Sequence, residues 1–199
     1  LVNVATLNAE RMIRLINDLL DLDKLTAGKL DLKLMPIDLS KLLRHAIALS
    51  EPEANNRQLT LQLILPKLVI RAMADEDRLL QVVINLLSNA LKFSNKGQSI
   101  TVSLSQQDNN ALITVTDHGP GIPHHSIDKL FQRFVMAHSS ADSHRGGTGL
   151  GLAISKALIE EMKGEIGVRS EEGKGSEFFF TLPLYVREKP SATPSTTDI

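Results

Sequence analysis

The chain has 199 residues, of which 42% are hydrophobic and 23% charged, the ordinary balance of a globular protein with room for one domain and an appendage. Lys and Arg total 22 against 23 Asp and Glu, so the net charge of −1 provides no electrostatic attraction to nucleic acid or to an anionic membrane surface. The absence of cysteine excludes disulfides, thiolate metal sites and thiol catalysis.

Residues 2–25 predict one long amphipathic helix that ends before Ala27-Gly28. Its apolar stripe is wide, so we expect a helical bundle, with packing on its own domain as the alternative. No apolar run approaches the roughly 20 residues of a membrane helix, and we expect no direct membrane contact by this chain. The chain begins with Leu1, and we expect it to be cut from a longer protein in which membrane segments could lie upstream. The heptad seam of the predicted N-terminal helix consists of Val2, Ala5, Ala9, Met12, Ile16 and Leu19.

From residue 30 onwards, strand and helix patterns predict an α+β fold preceded by the long helix. We expect a two-layer α/β sandwich with a mixed, mostly antiparallel sheet, because the strand pairs resemble hairpins, one of them with its turn at Asp108-Asn109-Asn110. The predicted strands are 30–34 (stopped by Pro36), 59–65, 68–73, 100–104, 112–115, 166–170 and 177–184. The predicted helices are 38–55 (capped by Asp38), 75–93 (capped by Asp75), 127–134 and 150–162.

Two polar segments interrupt or follow this pattern. Residues 135–148 are irregular and predict a mobile lid, and residues 187–199 are rich in Pro, Ser and Thr and predict a disordered tail. The predicted organisation is therefore a helix at 1–28, a domain at 29–186 and a tail or linker at 187–199.

The first segment with chemical potential lies on the predicted helix 75–93. Asn85, Asn89 and Lys92 fall at i, i+4 and i+7 and share one face. Amide oxygens are hard ligands that suit Mg²⁺ when phosphates complete the coordination, and the ammonium can contact phosphate. The alternative is an ordinary solvated helix face.

Three glycine-containing segments follow. Asp117, at the end of a strand, can accept a hydrogen bond from an exocyclic amine, and Gly119 and Gly121 let the backbone approach a flat ring. Residues 146–152, which open a helix, favour phosphate through exposed N–H groups but lack the ending of a P-loop. Residues 173–178 by themselves predict only a turn.

In their order and spacing, these segments resemble the ATP-binding domain of sensor histidine kinases, within the superfamily shared with gyrase, Hsp90 and MutL. The resemblance runs from about residue 30 to 184, with an asparagine box at 85–93, glycine boxes at 117–121 and 147–151, and a phenylalanine box at 131–134. Residues 2–29 resemble the second helix of the family's dimerisation and phosphotransfer domain.

The resemblance implies ATP and Mg²⁺ as cofactors and assigns roles to individual residues. Asp117 would bind the adenine amine, Asn89 and Asn85 would coordinate Mg²⁺, and Lys92 would contact phosphate, with Asn85 and Lys92 as the catalytic pair. Packing by Phe131 and Phe134 would form the hinge of the lid. The remaining nucleotide-binding set is Gly119, Gly121, Ile122, Gly147, Thr148, Gly149, Leu150 and Gly151.

The resemblance also implies phosphoryl transfer to a histidine. Related ATPases carry a glutamate at the position of Asn85, and an amide cannot act as a general base near neutral pH. The implied partners are a response regulator receiver domain and, in the full-length protein, a second copy bound through the N-terminal helix. The implied location is cytoplasmic, with a parent protein that the inner membrane could anchor.

The phosphoacceptor segment of the family is missing from this sequence. None of the six histidines lies in the N-terminal helix, and we interpret all six as surface or loop residues, including His45 and His118. Where relatives carry an aromatic and a basic residue after the phenylalanine box, this chain has Val135 and Met136, so a phosphate contact would have to come from Arg133 or Arg145.

Two alternatives remain open on the sequence alone: a degenerate nucleotide-binding signalling module without kinase activity, and a protein-serine kinase of the same superfamily. With half of a dimerisation bundle, the chain should dimerise weakly or not at all. A tight dimer at low micromolar concentration in sedimentation would contradict that expectation.

Overall fold

The computed structural model describes residues 31–135 and 148–185, together with Met12, Ile16 and Leu20 near the N-terminus. These three positions are helical and exposed, in agreement with a long helix in front of the domain. The rest of that helix, most of the predicted lid and the predicted tail lie outside the described residues.

The predicted order of helices and strands is largely confirmed. The helices of the described domain are α1 (Leu39–Arg57), α2 (Glu76–Phe93), α3 (His124–Ile127) and α4 (Gly151–Glu161). The strands are β1 (Met35–Asp38), β2 (Thr60–Ile64), β3 (Arg71–Ala74), β4 (Ser99–Gln107), β5 (Asn110–Asp117), β6 (Glu165–Glu171) and β7 (Gly175–Pro183).

The main sheet has five strands in the order β2-β4-β5-β7-β6. β2 runs parallel to β4, and every other neighbouring pair is antiparallel, which confirms the mixed, mostly antiparallel sheet. The hairpin between β4 and β5 closes at the predicted turn, where Asp108 takes a left-handed conformation with φ of 52°.

A second sheet, formed by β1 and β3, corrects two predicted strands. Residues 31–34, predicted as a strand, are irregular, and β1 begins only at Met35 and contains Pro36, opposite Met73. β3 begins at Arg71 instead of residue 68. Proline lacks an N–H, but a strand with only one neighbour can direct that position away from the ladder. Because this pairing joins segments far apart in the sequence, local alternation could not reveal it.

The predicted helix at 127–134 is also wrong, because the helix lies at His124–Ile127 and is followed by turns. Pro123 precedes its first residue. Beyond the helix, Leu130 N–H donates to the Ile127 carbonyl and Gln132 N–H to the Lys129 carbonyl. These bonds span three residues, which is the pattern of tight turns and not of an α-helix.

The core lies between the main sheet and the helical layer, with α2 between α1 and α4. Alternate residues of β4, β5 and β7 face this layer and are buried; they are Ile100, Val102, Leu104, Ala111, Ile113, Val115, Phe178, Phe180 and Leu182. This arrangement is the predicted two-layer sandwich. In the described part of the chain, the helices lack the combination of length and apolar character that crossing a bilayer requires.

Both predicted helix caps are present, but only the Asp75 carboxylate also accepts a hydrogen bond from a residue outside its own helix. Asp38 accepts from the N–H groups of Ser40 and Lys41 at 3.0 and 3.3 Å within its own helix start. Asp75 is buried and accepts from Arg78 N–H at 3.1 Å and from Lys33 N–H at 2.9 Å. The second bond ties the segment before β1 to the start of α2.

We therefore predict that Asp75→Ala lowers the free energy of unfolding by roughly 2 to 3 kcal/mol, because a cap and a second bond to a buried carboxylate are lost together. The matched change Asp38→Ala should lower it by only about 1 kcal/mol, since it removes a cap alone. Urea unfolding of both variants tests this difference, and equal losses would contradict the added role of Asp75.

Candidate nucleotide-binding site

The predicted site residues that the structure describes come together around α2. In the middle of α2, the Asn85 side chain contacts α4, where Nδ2 donates to Ser155 Oγ at 2.9 Å. At the C-terminal end of α2, Gly119 lies against the Phe93 carbonyl, which an added Cβ would approach to 2.7 Å. We call this region the α2 site: the α2 face from residue 85 to 92, the loop 117–122 and residues 148–151.

Asp117 places a carboxylate inside the fold at the end of β5. Its side chain is 5% exposed, and burial raises the pKa of its carboxyl above the usual value. The N–H groups of Gly119 and Ser176 donate to the carboxylate, and these bonds and nearby His118 oppose the rise in pKa. His118, the next residue, directs Nδ1 to the Ser99 carbonyl at 3.0 Å. Its side chain is exposed, so His118 is a surface residue, as predicted.

The loop after Asp117 rests on the hairpin between β6 and β7. Pro120 accepts from Gly173 N–H at 2.7 Å, and Ile122 N–H donates to Ser170 Oγ at 2.9 Å. Gly121 has φ of 71°, and a Cβ there would lie 2.1 Å from the Glu171 carbonyl oxygen. Only glycine combines this conformation with such a close approach.

The hairpin residues beneath the loop were missed by the sequence reasoning, which predicted only a turn at 173–178. Gly175 has φ of 106°, and a Cβ there would lie 2.2 Å from the Asp117 carbonyl oxygen. Ser170 Oγ donates to the Gly175 carbonyl at 2.8 Å and lies 2.9 Å from Ser176 Oγ. The glycine pair at 173 and 175 was a signal, but its partner in space could not be read from the sequence.

The α2 face presents two amides and one ammonium. Asn85, Asn89 and Lys92 are all partly buried, and the Lys92 Nζ lies 4.8 Å from the centre of the Phe93 ring. The Asn85 carboxamide packs against Gly151, where an added Cβ would lie 2.3 Å from Oδ1. The predicted shared face is therefore confirmed, and Ser155 is a contact that the sequence did not reveal.

The start of α4 forms the remaining wall of the α2 site. Leu150 is buried and precedes the helix without a side-chain cap on the first turn, while its own N–H donates to Thr148 Oγ1 at 3.1 Å. Uncapped N–H groups at a helix start favour an anion. Gly151 is the first helical residue, and the predicted Gly147 lies outside the described residues.

The predicted packing role of the two phenylalanines holds for only one of them. Phe131 is partly buried against the core, whereas Phe134 is 66% exposed. Phe134 takes a left-handed conformation with φ of 61°, and its N–H donates to the Gly149 carbonyl at 2.9 Å. Its contact with the residues ahead of α4 is thus made by backbone, which side-chain reasoning could not anticipate.

Comparisons with known proteins agree with this arrangement. A family model described as histidine kinase-, DNA gyrase B- and HSP90-like ATPase matches residues 74–186. The chain is 38% identical over 182 residues to the sensor histidine kinase GacS of Pseudomonas protegens, covering 89% of this chain and 20% of GacS. It is 36% identical over 189 residues to the sensor protein kinase WalK of Staphylococcus aureus, covering 94% of this chain and 45% of WalK.

A solved structure shares the fold. The crystal structure of full-length ShkA in complex with AMPPNP has a TM-score of 0.82 and 32% identity to this chain, covering 95% of this chain and 39% of that one. The chain spans 20% of the length of GacS, so the relatives contain much that this sequence does not.

The buried carboxylate at Asp117 generates a pH-dependent prediction. Because its pKa in the folded state lies above the usual 3.8, its ionisation opposes folding, and the stability it contributes at low pH is lost as pH rises through the folded-state pKa. Asp117→Asn removes this titration. The melting temperature of the variant, relative to that of the unaltered protein, should therefore rise as pH is increased from below 3.8 to neutrality.

The matched control is Asp108→Asn, the same chemical change at an exposed turn. Its melting temperature relative to the unaltered protein should not shift in the same way. A difference for Asp117→Asn that stays constant across this pH range would contradict the raised pKa.

Proposed function

Because the chain belongs to the family of histidine kinase-, DNA gyrase B- and HSP90-like ATPases, as its motifs predicted, we propose that the α2 site binds ATP with Mg²⁺ and presents the γ-phosphoryl group for transfer to a histidine. In this proposal the chain is the ATP-binding catalytic domain of a sensor histidine kinase, with boundaries at about 29 and 186. The buried carboxylate of Asp117 is the observation that supports it most, because two backbone N–H groups only partly offset its desolvation and leave lone pairs that can accept from a further donor.

The adenine end of the proposed site is organised by Asp117. Its carboxylate is held by two backbone N–H groups and would accept a hydrogen bond from the exocyclic amine of adenine. Gly119 and Gly121 carry no side chains that would stand between the loop and the base. Ile122 is buried beside the loop and supports it from below.

The phosphate end lies between α2 and α4. The oxygens of Asn85 and Asn89 fit Mg²⁺, which prefers hard oxygen ligands and commonly takes several of them from phosphates and water. When bound, Mg²⁺ would neutralise phosphate charge and polarise the γ-phosphoryl group. Lys92 and the N–H groups at the start of α4 would hold phosphate oxygens, with Thr148 and Gly149 leading into that start.

Transfer is favoured over hydrolysis because Asn85 cannot take a proton from water. The domain would position and neutralise the phosphates while an imidazole nitrogen from another segment attacks the γ-phosphorus and ADP leaves. We do not assign that nucleophile to the four described histidines: His45 on α1 and His124 and His125 on α3 lie on the surface, and His118 is bonded to the Ser99 carbonyl.

The names of the relatives, which are sensor kinases, support a proposal for the wider arrangement. We propose that the full-length protein dimerises through the N-terminal helix and passes its phosphoryl group to the receiver domain of a response regulator. Since ATP is a cytoplasmic nucleotide, the domain would work on the cytoplasmic side of any membrane that anchors its parent.

Calorimetric titration with AMPPNP, with and without Mg²⁺, tests the nucleotide site. Asp117→Asn should weaken binding by roughly 10- to 100-fold, the effect of losing a hydrogen bond to a charged group. For the unaltered protein, affinity should also fall as pH approaches the raised pKa of Asp117 from above, because protonation removes the acceptor charge. Asp108→Asn should bind normally, and no binding by the unaltered chain would overturn the proposal.

A transfer assay tests the reaction itself. Incubated alone with labelled ATP, the chain should remain unlabelled, whereas a histidine-bearing dimerisation fragment added to it should acquire acid-labile phosphate. Acid-stable phosphate would instead support the serine-kinase alternative. Nucleotide binding without any transfer would support a signalling module that lacks kinase activity.

A further inference from the structure

The buried hydroxyl of Ser155 joins α4 to the α2 site. Ser155 is 2% exposed, and the buried residues beside it on α4 are apolar, among them Ile154, Leu158 and Ile159. Its Oγ lies 2.9 Å from Asn85 Nδ2, 70 residues away in the sequence. An amide nitrogen only donates, so the serine oxygen is the acceptor in this bond.

The neighbours of the Asn85 carboxamide favour one orientation of the amide. With Nδ2 directed at Ser155, Oδ1 is the atom closest to the position of an added Cβ on Gly151, at 2.3 Å, against 3.1 Å for Nδ2. A serine hydroxyl can accept from an amide nitrogen or donate to an amide oxygen, so the bond to Ser155 is compatible with both orientations. The contact with Gly151 discriminates between them, because a carbonyl oxygen beside a Cα–H group is weakly favourable, whereas an amide N–H there would lack an acceptor.

The orientation decides what Asn85 can do. A carboxamide can donate through nitrogen to a phosphate oxygen or provide its oxygen to a cation, and a half-turn of the amide exchanges the two. Because Ser155 engages Nδ2, the acceptor end of Asn85 remains for the site. Only that end can bind Mg²⁺.

We infer that Ser155 is a positioning residue that holds the Asn85 carboxamide with its oxygen presented to Mg²⁺ of the bound nucleotide. This inference rests on the proposed function, since it requires that the α2 site bind nucleotide with Mg²⁺. Ser155 itself is packed between helices and acts through Asn85.

The test measures the Mg²⁺ enhancement of binding, defined as the Kd for AMPPNP without Mg²⁺ divided by the Kd with Mg²⁺. Ser155→Ala should lower this enhancement by roughly 2- to 10-fold, the equilibrium effect of one hydrogen bond, with the Mg²⁺-free Kd unchanged within about twofold. In an Asn85→Ala background, the same serine change should leave the enhancement unaltered, because the amide it orients is gone.

Two controls separate positioning from packing. Ser50→Ala changes another buried helical serine, on α1, and should leave the enhancement unaltered. Ser155→Thr and Ser155→Val are close in shape and differ in the hydroxyl, so the threonine variant should retain more of the enhancement even if both are less stable. Comparing the threonine and valine variants also tests the role of the hydroxyl if Ser155→Ala folds poorly.

Several outcomes would overturn the inference. A serine change that weakens binding equally with and without Mg²⁺, or that has the same effect when Asn85 is alanine, would make Ser155 a packing residue only. Threonine and valine variants with equal enhancement would do the same. Nucleotide binding by the unaltered protein without any Mg²⁺ enhancement would refute this inference yet leave the nucleotide site itself standing, whereas no binding at all would refute both.

Discussion

The loop that follows β5 lies directly on the hairpin between β6 and β7, and the two backbones approach too closely for side chains to fit between them. Added Cβ atoms at Gly121 and Gly175 would lie within 2.1 and 2.2 Å of carbonyl oxygens across this contact. The contact places the N–H of Ser176 on the Asp117 carboxylate and the hydroxyl of Ser170 beneath the loop. The proposed adenine end of the site thus depends on glycines in two segments that are more than fifty residues apart.

A carboxylate buried by this contact carries a thermodynamic cost. Desolvation raises the pKa of Asp117, and two backbone N–H groups only partly offset that effect. A domain under selection for stability alone would not retain a charge there, whereas a ligand that donates to the charge recovers part of the lost hydration. In the proposed site, the carboxylate that lowers the stability of the fold is therefore also the group that would bind the ligand, as is common where stability and function conflict.

Local patterns predicted the parts of this fold that local forces determine. The caps at Asp38 and Asp75, the amphipathic α2 and the hairpin turn at Asp108 all follow from neighbouring residues, and each is confirmed. The parallel pairing of β2 with β4, the strand through Pro36 and the contact of Asn85 with Ser155 depend on segments distant in the sequence. For the site, the glycine and asparagine boxes were visible as motifs, but the hairpin that supports Asp117 was not, because a turn motif does not specify what packs on it.

In the proposed function, the charges on the α2 face favour binding of the triphosphate over its hydrolysis. The α2 face carries the neutral amides of Asn85 and Asn89 and the ammonium of Lys92, so the triphosphate would meet no carboxylate among these three residues. A glutamate in place of Asn85 would add a base for water, but it would also place negative charge beside Gly151, where the N–H groups of α4 attract phosphate. The amide avoids that repulsion, and its bond to Ser155 commits its nitrogen to the protein interior. In the proposed function, a site built in this way would hold and orient phosphate without activating water, and the reaction would wait for a nucleophile from outside the domain.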